Sequence, residues 1–136
     1  MIYELEVDGK IIGKERPRVN MYTGNVYTPG NTKEYERYLQ SLFVIKYPKY
    51  IPIETKAKVT IIAYFEIPKS TSKKNTELML SGEIVPTKKP DIDNIAKVIL
   101  DGLNKLAFKD DNLVSKIEVE KRYAEKPKVY IKVEEY

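Results

Sequence analysis

Seven apolar residues between Ile92 and Leu106 recur at one helical spacing and constrain the fold more than any other feature of the chain. Ile92, Ile95, Ala96, Ile99, Leu100, Leu103 and Leu106 stand at i, i+3, i+4, i+7, i+8, i+11 and i+14, which is one stripe of a 3.6-residue helix. Pro90 precedes the stripe, so the helix is expected to begin just after it. A helix with so regular an apolar face needs a surface to cover, and the rest of the chain offers a sheet. Tyr3, Leu5 and Val7 alternate with Glu4 and Glu6 as in a half-buried strand. Residues 59–65 are β-branched or aromatic for the most part and read as a central strand. Ile117 and Val119, and then Val129, Ile131 and Val133, alternate with charges; Glu125, Lys126 and Pro127 between them predict an antiparallel hairpin.

An earlier helix is expected where Asn31 and Glu34 resemble a capping box. Tyr35, Tyr38, Leu39, Leu42 and Phe43 carry its apolar face and Pro48 stops it. Gly24 and Asn25 predict a tight turn inside a small ribbon or ordered loop. Tyr22 and Tyr27 on either side read as core packing or loop anchors ahead of base-stacking groups. The polar stretch 68–86 predicts a surface loop with a short helical piece. The order β-α-β-α-β-β then predicts an α/β (α+β) domain, two helices packed on one face of a small mixed sheet. With 136 residues, 42% of them hydrophobic, residues 1–136 make one such domain.

What the chain lacks narrows its chemistry. It has no cysteine and no histidine, which excludes disulfides, zinc-thiolate sites, thiol nucleophiles, imidazole bases and the Ser-His-Asp triad. Catalysis has to rest on carboxylates, lysine, tyrosine, hydroxyls or a metal held by oxygen, and aspartates suit Mg2+, Mn2+ and Ca2+. The net charge of +4 and pI near 9.0 hint only mildly at a polyanionic partner. No apolar run approaches a membrane span, and the first residues lack the sections of a signal peptide; a cytoplasmic protein is expected.

The acids that matter surround the periodic helix. Asp91 and Asp93 flank Ile92 at its start. Inside a helix, residues i and i+2 diverge by about 200°, but Asp91 in the cap position and Asp93 in the first turn can converge. Helix capping is the plain structural reading; it explains one of the two aspartates well and the second only weakly. Asp93, Lys97, Asp101 and Asn104 continue at spacings of four, four and three, which an ordinary surface ladder of ion pairs would also produce. Asp110 and Asp111 follow the helix, and a strand running back beside the helix start would bring them to Asp91 and Asp93. An EF-hand is excluded, since the third ligand, the glycine and the final glutamate are missing. Glu118-Val-Glu-Lys121 has the wrong spacing for a restriction-enzyme-like site. Lys14, Arg16, Arg18, Lys88, Lys89 and Lys109 flank the acids in sequence and are candidates for backbone phosphates. A solvated surface charge is the plainer reading of most of them, with Arg16 and Arg18 the strongest candidates.

Taken in order, the chain carries Asp91-x-Asp93-Asn94-x-x-Lys97 at a helix start, Asp101 with the small residue Gly102, and the pair Asp110-Asp111 before a strand. This succession resembles the RusA family of Holliday-junction resolvases. The resemblance is close over about the last fifty residues. It is looser upstream, where Gly13 is followed by Arg16, Pro17 and Arg18, and Tyr27 by Thr28 and Pro29. It implies an α/β fold, an obligate homodimer and dependence on Mg2+, with Mn2+ able to substitute. By position, Asp91 and Asp93 resemble the family's metal ligands and Asp111 the third, with Asp110 as the alternative; Lys97 resembles its essential lysine. The implied activity is symmetric nicking of a four-way DNA junction in recombination and repair, by a bacterial or phage-encoded enzyme needing neither membrane nor nucleotide cofactor. The alternatives are a dimeric branched-DNA-binding protein that does not cut, and a nuclease for other branched nucleic acids.

Overall fold

The computed structural model describes residues 1–14, 18–19, 21–24, 26–27 and 30–136, without the side chains of 18, 19, 26, 27 and 30. Strand β1 (Ile2–Asp8) is followed by a two-stranded ribbon of β2 (Arg18–Val19) and β3 (Val26–Tyr27), then helix α1 (Gly30–Lys46) and strand β4 (Ala57–Glu66). Helices α2 (Lys73–Ser81) and α3 (Ile92–Leu103), a 3-10 turn (Asp111–Leu113) and strands β5 (Val114–Ala124) and β6 (Lys128–Glu135) complete the domain. It is a mixed α+β fold, and α2 is the short helical piece expected within 68–86.

Alternation sets the two faces of the sheet. Tyr3, Leu5 and Val7 of β1 sit opposite Val133, Ile131 and Val129 of β6, which face Val59, Ile61 and Ala63 of β4. All nine are buried. Tyr35, Leu39 and Phe43 of α1 and Ile95, Val98, Ile99 and Leu103 of α3 complete the same core, so the two long helices cover one face. Helix α3 packs on both the sheet and α1, which widens its buried side beyond the predicted stripe. Val98 is fully buried, whereas Ile92, at the exposed helix start, is 44% exposed. The helices cross closely at Gly102, where an added Cβ would come within 2.9 Å of Leu39 Cδ1.

Two expectations are corrected. The last two strands do not form a hairpin with each other: the sheet order is β1-β6-β4-β5, so β4 lies between them, antiparallel to β6 and parallel to β5. β4 alternates buried and half-buried residues as far as Phe65, and an interior place gives it a partner on each edge. The three-residue link can reach about 10 Å, enough to step across two strand spacings of about 4.8 Å each. Asn31 does not cap α1 either. It lies inside the helix, which begins at Gly30, and its Oδ1 accepts from the Thr32 N–H.

Candidate active site

The start of α3 is the best-defined part of the candidate site. Pro90 follows a cis peptide bond from Lys89, and Asp91 takes the N-cap position with φ −73° and ψ 160°. Its carbonyl accepts the first helical bond, from the Ile95 N–H at 3.0 Å, yet its side chain makes no capping bond. Hydrogen-bond capping by Asp91 therefore fails: its carboxylate is exposed at the helix mouth and is engaged by no ion pair among the described residues. Asp93 in the first turn is exposed as well. Both lie where the helix dipole favours negative charge.

The loop after β1 is stitched to this helix start. The Lys14 N–H donates to the Asn94 carbonyl at 3.0 Å. Gly13 lies so close to Pro90 that an added Cβ would stand 2.4 Å from the proline Cβ. Only glycine permits that approach. A Gly13→Ala protein is expected to lose about 2 kcal/mol through overpacking, read as a lower urea midpoint; an unchanged midpoint would mean that the loop moves aside freely.

Lys14 was expected among the phosphate-facing cations, but its ammonium is already engaged. It pairs with Glu36 of α1 at 2.8 Å and Asp101 of α3 at 3.1 Å, and its side chain is only 14% exposed. Burial pulls its pKa down, and the two carboxylates outweigh that and leave it raised. The predicted ladder along α3 is thereby broken. Asp101 turns to Lys14, Asn104 Oδ1 is buried without a hydrogen-bond partner, and Lys97 is exposed with no acid in ion-pair range among the described residues. Glu36 escaped the sequence reading altogether. It sits twenty-two residues from Lys14, and no local signal ties it to α3.

The second acidic pair divides. Asp110 caps the 3-10 turn: it accepts from the Asn112 N–H and from Lys105, both at 3.3 Å. The Asn112 N–H, and then Lys105, hold its carboxyl below the usual carboxylate range. Asp111 is exposed and carries no such bond.

The two acidic groups do not meet within the chain. Lys88, just before α3, receives the Lys121 ammonium on its carbonyl at 2.6 Å, which places the helix start at the C-terminal end of β5. Asp110 and Asp111 directly precede Val114 at the other end of that strand, beside Ala57. Helix α3 separates the groups by its twelve residues, about 18 Å of rise. The strand does run back toward the helix start, but the acids stand at its beginning and not at its far end. Among the described residues no three acidic side chains form a group able to hold a metal ion.

Of the other candidates, Lys88 and Lys89 are exposed beside Asp91, and Lys109 is exposed beside Asp110 at the opposite end. Arg16 and the side chains of Arg18 and Tyr27 lie outside the described residues. Tyr22 is 99% exposed, so of the two expected roles, core packing and loop anchoring, core packing is corrected for it.

Together these features define a small α+β domain that presents exposed carboxylates at a helix start, next to the root of a basic segment. The chain belongs to the RusA endodeoxyribonuclease family, whose model matches residues 8–134. It is also 35% identical to the uncharacterized protein YqaN of Bacillus subtilis (strain 168) over 136 aligned positions, covering 95% of this chain and 93% of that protein. Membership supports nuclease activity. Among the described residues no helix is long and apolar enough to cross a membrane.

Proposed function

We propose that this protein is a Holliday-junction resolvase that nicks four-way DNA junctions symmetrically as a twofold homodimer. The carrying observation is the exposed carboxylate of Asp91, which occupies a cap position without capping. A side chain placed there without a structural bond is available to a ligand. In this reading Asp91 and Asp93 hold a divalent cation, Mg2+ or Mn2+ in its place, together with Asp111. Carboxylate oxygens suit such hard ions. Asp111 is preferred over Asp110 because Asp110 is engaged by Asn112 and Lys105. When bound, the cation supplies Lewis acidity for water attack on a phosphodiester and offsets the charge of the reacting phosphate.

The separation of the two acidic groups gives the homodimer its chemical purpose. A twofold axis relates opposite ends of the subunits and can bring Asp111 of the partner subunit to Asp91 and Asp93 of the first. Two such composite sites would cut two strands, matching the approximate symmetry of a junction. Lys97, one turn past Asp93 and without an ion-pair partner among the described residues, would meet the scissile phosphate. Water adds to phosphorus and the P–O3′ bond breaks, leaving a 5′-phosphate and a 3′-hydroxyl. Arg16 and Arg18 continue from the anchored Gly13–Lys14 loop and, with Lys88 and Lys89, would hold flanking phosphates. We place this activity in DNA recombination and repair, in the cytoplasm of a bacterium or encoded by a phage.

One observation favours a second reading, a dimer that binds branched DNA without cutting it: no group of three acids is assembled among the described residues. A labelled four-way junction and a linear duplex of the same sequence, each incubated with Mg2+, Mn2+ or EDTA, separate the two. Paired metal-dependent nicks in the junction alone are expected. Tight binding without nicks under either metal would establish the binding protein instead.

A further inference from the structure

On the sheet face away from α1 and α3 four cations are paired with acids: Lys58 with Glu118 at 3.3 Å, Lys128 with Glu6 at 3.0 Å, Arg122 with Glu120 at 3.7 Å and Lys132 with Glu134 at 3.8 Å. Near the start of α3 the pattern changes. The loop after β1, the end of β4 and the segment before α3 enclose a half-open cleft of about 280 Å³, lined among others by Lys10, Tyr64, Lys69 and Lys88. None of these three lysines has an ion-pair partner among the described residues, and all three are exposed. Glu66 is the one acid on the lining, so the cleft carries an excess of positive charge.

The cleft is built on ordered elements. The buried ring of Phe65 lies beneath two ammonium groups, Lys88 Nζ at 5.9 Å and Lys121 Nζ at 5.2 Å from its centroid. Lys121 also donates to the Lys88 carbonyl, which ties the lining to the segment that leads through Lys89 and Pro90 to Asp91. Like charges held together in a partly enclosed space repel one another and focus a positive potential. That potential fits an anion, and a trough open on one side fits a chain passing through it better than an enclosed small molecule.

We propose that this cleft is a second backbone-binding subsite, in which Lys10 and Lys69 contact phosphates of the DNA strand flanking the cut. The inference rests on the nuclease reading and extends it to residues outside the acidic motif. Phosphate contacts release counterions, and each contributes about 0.9 to the slope of log affinity against log salt.

The test is junction binding in EDTA, titrated over a series of KCl concentrations. The proteins compared are wild type, Lys10→Ala/Lys69→Ala and the control Lys58→Ala/Lys132→Ala, which removes equal charge from residues of the sheet that do not line the cleft. Circular dichroism verifies that all are folded. The cleft variant is expected to bind more weakly, with a slope smaller by about 1.8 for two lost contacts, while the control keeps the wild-type slope. A cleft variant with the wild-type slope would overturn the proposal, and so would a control whose slope falls equally, since net charge alone would then explain the loss. If wild type itself fails to bind the junction, the nuclease reading fails first and takes the subsite with it.

Discussion

Co-expressed and purified as a heterodimer, the Asp91→Asn and Asp111→Asn subunits are expected to cut a four-way junction that neither variant cuts as a homodimer. Each homodimer lacks a ligand in both of its sites. Because a direct ligand matters more than an outer-shell partner, whose loss costs up to about a hundredfold, each should fall by more than that. In the heterodimer one composite site loses both residues and the other keeps both. That intact site should nick one strand, in place of the paired cuts of wild type. An unselected equal mixture, with half of its dimers mixed, should retain about a quarter of the wild-type sites. If every site were complete within one chain, the heterodimer would hold two broken sites and stay inactive. The experiment therefore reads directly whether the distance along α3 is closed by a second subunit.

Replacing Lys14 with Met should lower stability by about 2 kcal/mol. Removing one partner of a buried ion pair costs about 3–5 kcal/mol; the lower figure allows for the water that still reaches Lys14 and Asp101. For a domain of this size the melting temperature should fall by about 7 °C. Methionine retains the apolar stem, so the change isolates the charge that joins Glu36 to Asp101. The pKa of Lys14 is raised above 10.5 in the folded protein, which sets the sign of the pH dependence. The contribution is fully present below pH 10.5 and is lost as pH climbs through the folded value. The gap between wild type and Lys14→Met should be constant near neutrality and shrink in alkali. A gap that persists unchanged there would assign the loss to packing alone.

Much of the candidate site was legible before the fold was known. Asp91, Asp93 and Lys97 sit at or on a helix whose apolar stripe announces it, and Asp111 follows as the resemblance to the RusA family implied. The engagement of Lys14 by Glu36 and Asp101 was not legible. Salt-bridge partners on different elements leave no mark in a local window, and a lysine before an Arg-Pro-Arg segment looks like a phosphate ligand whichever way it turns. The difference between Asp110 and Asp111 was hidden for a related reason, since it depends on the 3-10 turn that brings the Asn112 N–H to Asp110 and on Lys105 bonding to the same carboxylate.

By itself the sequence determined which residues face inward and which chemistry is open to the chain. Alternation in β1, β4 and β6 and the stripe on α3 are local periodicities, and they sort side chains between core and water wherever the elements end up. The absence of cysteine and histidine restricted metal binding to oxygen ligands in the same context-free way. Only the tertiary structure decided who stands beside whom. A period of two says that a strand has an inner face but not which strand lies next to it, so the insertion of β4 between β5 and β6 could not be read from the pattern. That insertion runs β5 parallel to β4 and leaves Asp111 a helix length away from Asp91. Whether the carboxylates can act together depends on this separation, a distance between elements that no spacing along the chain encodes.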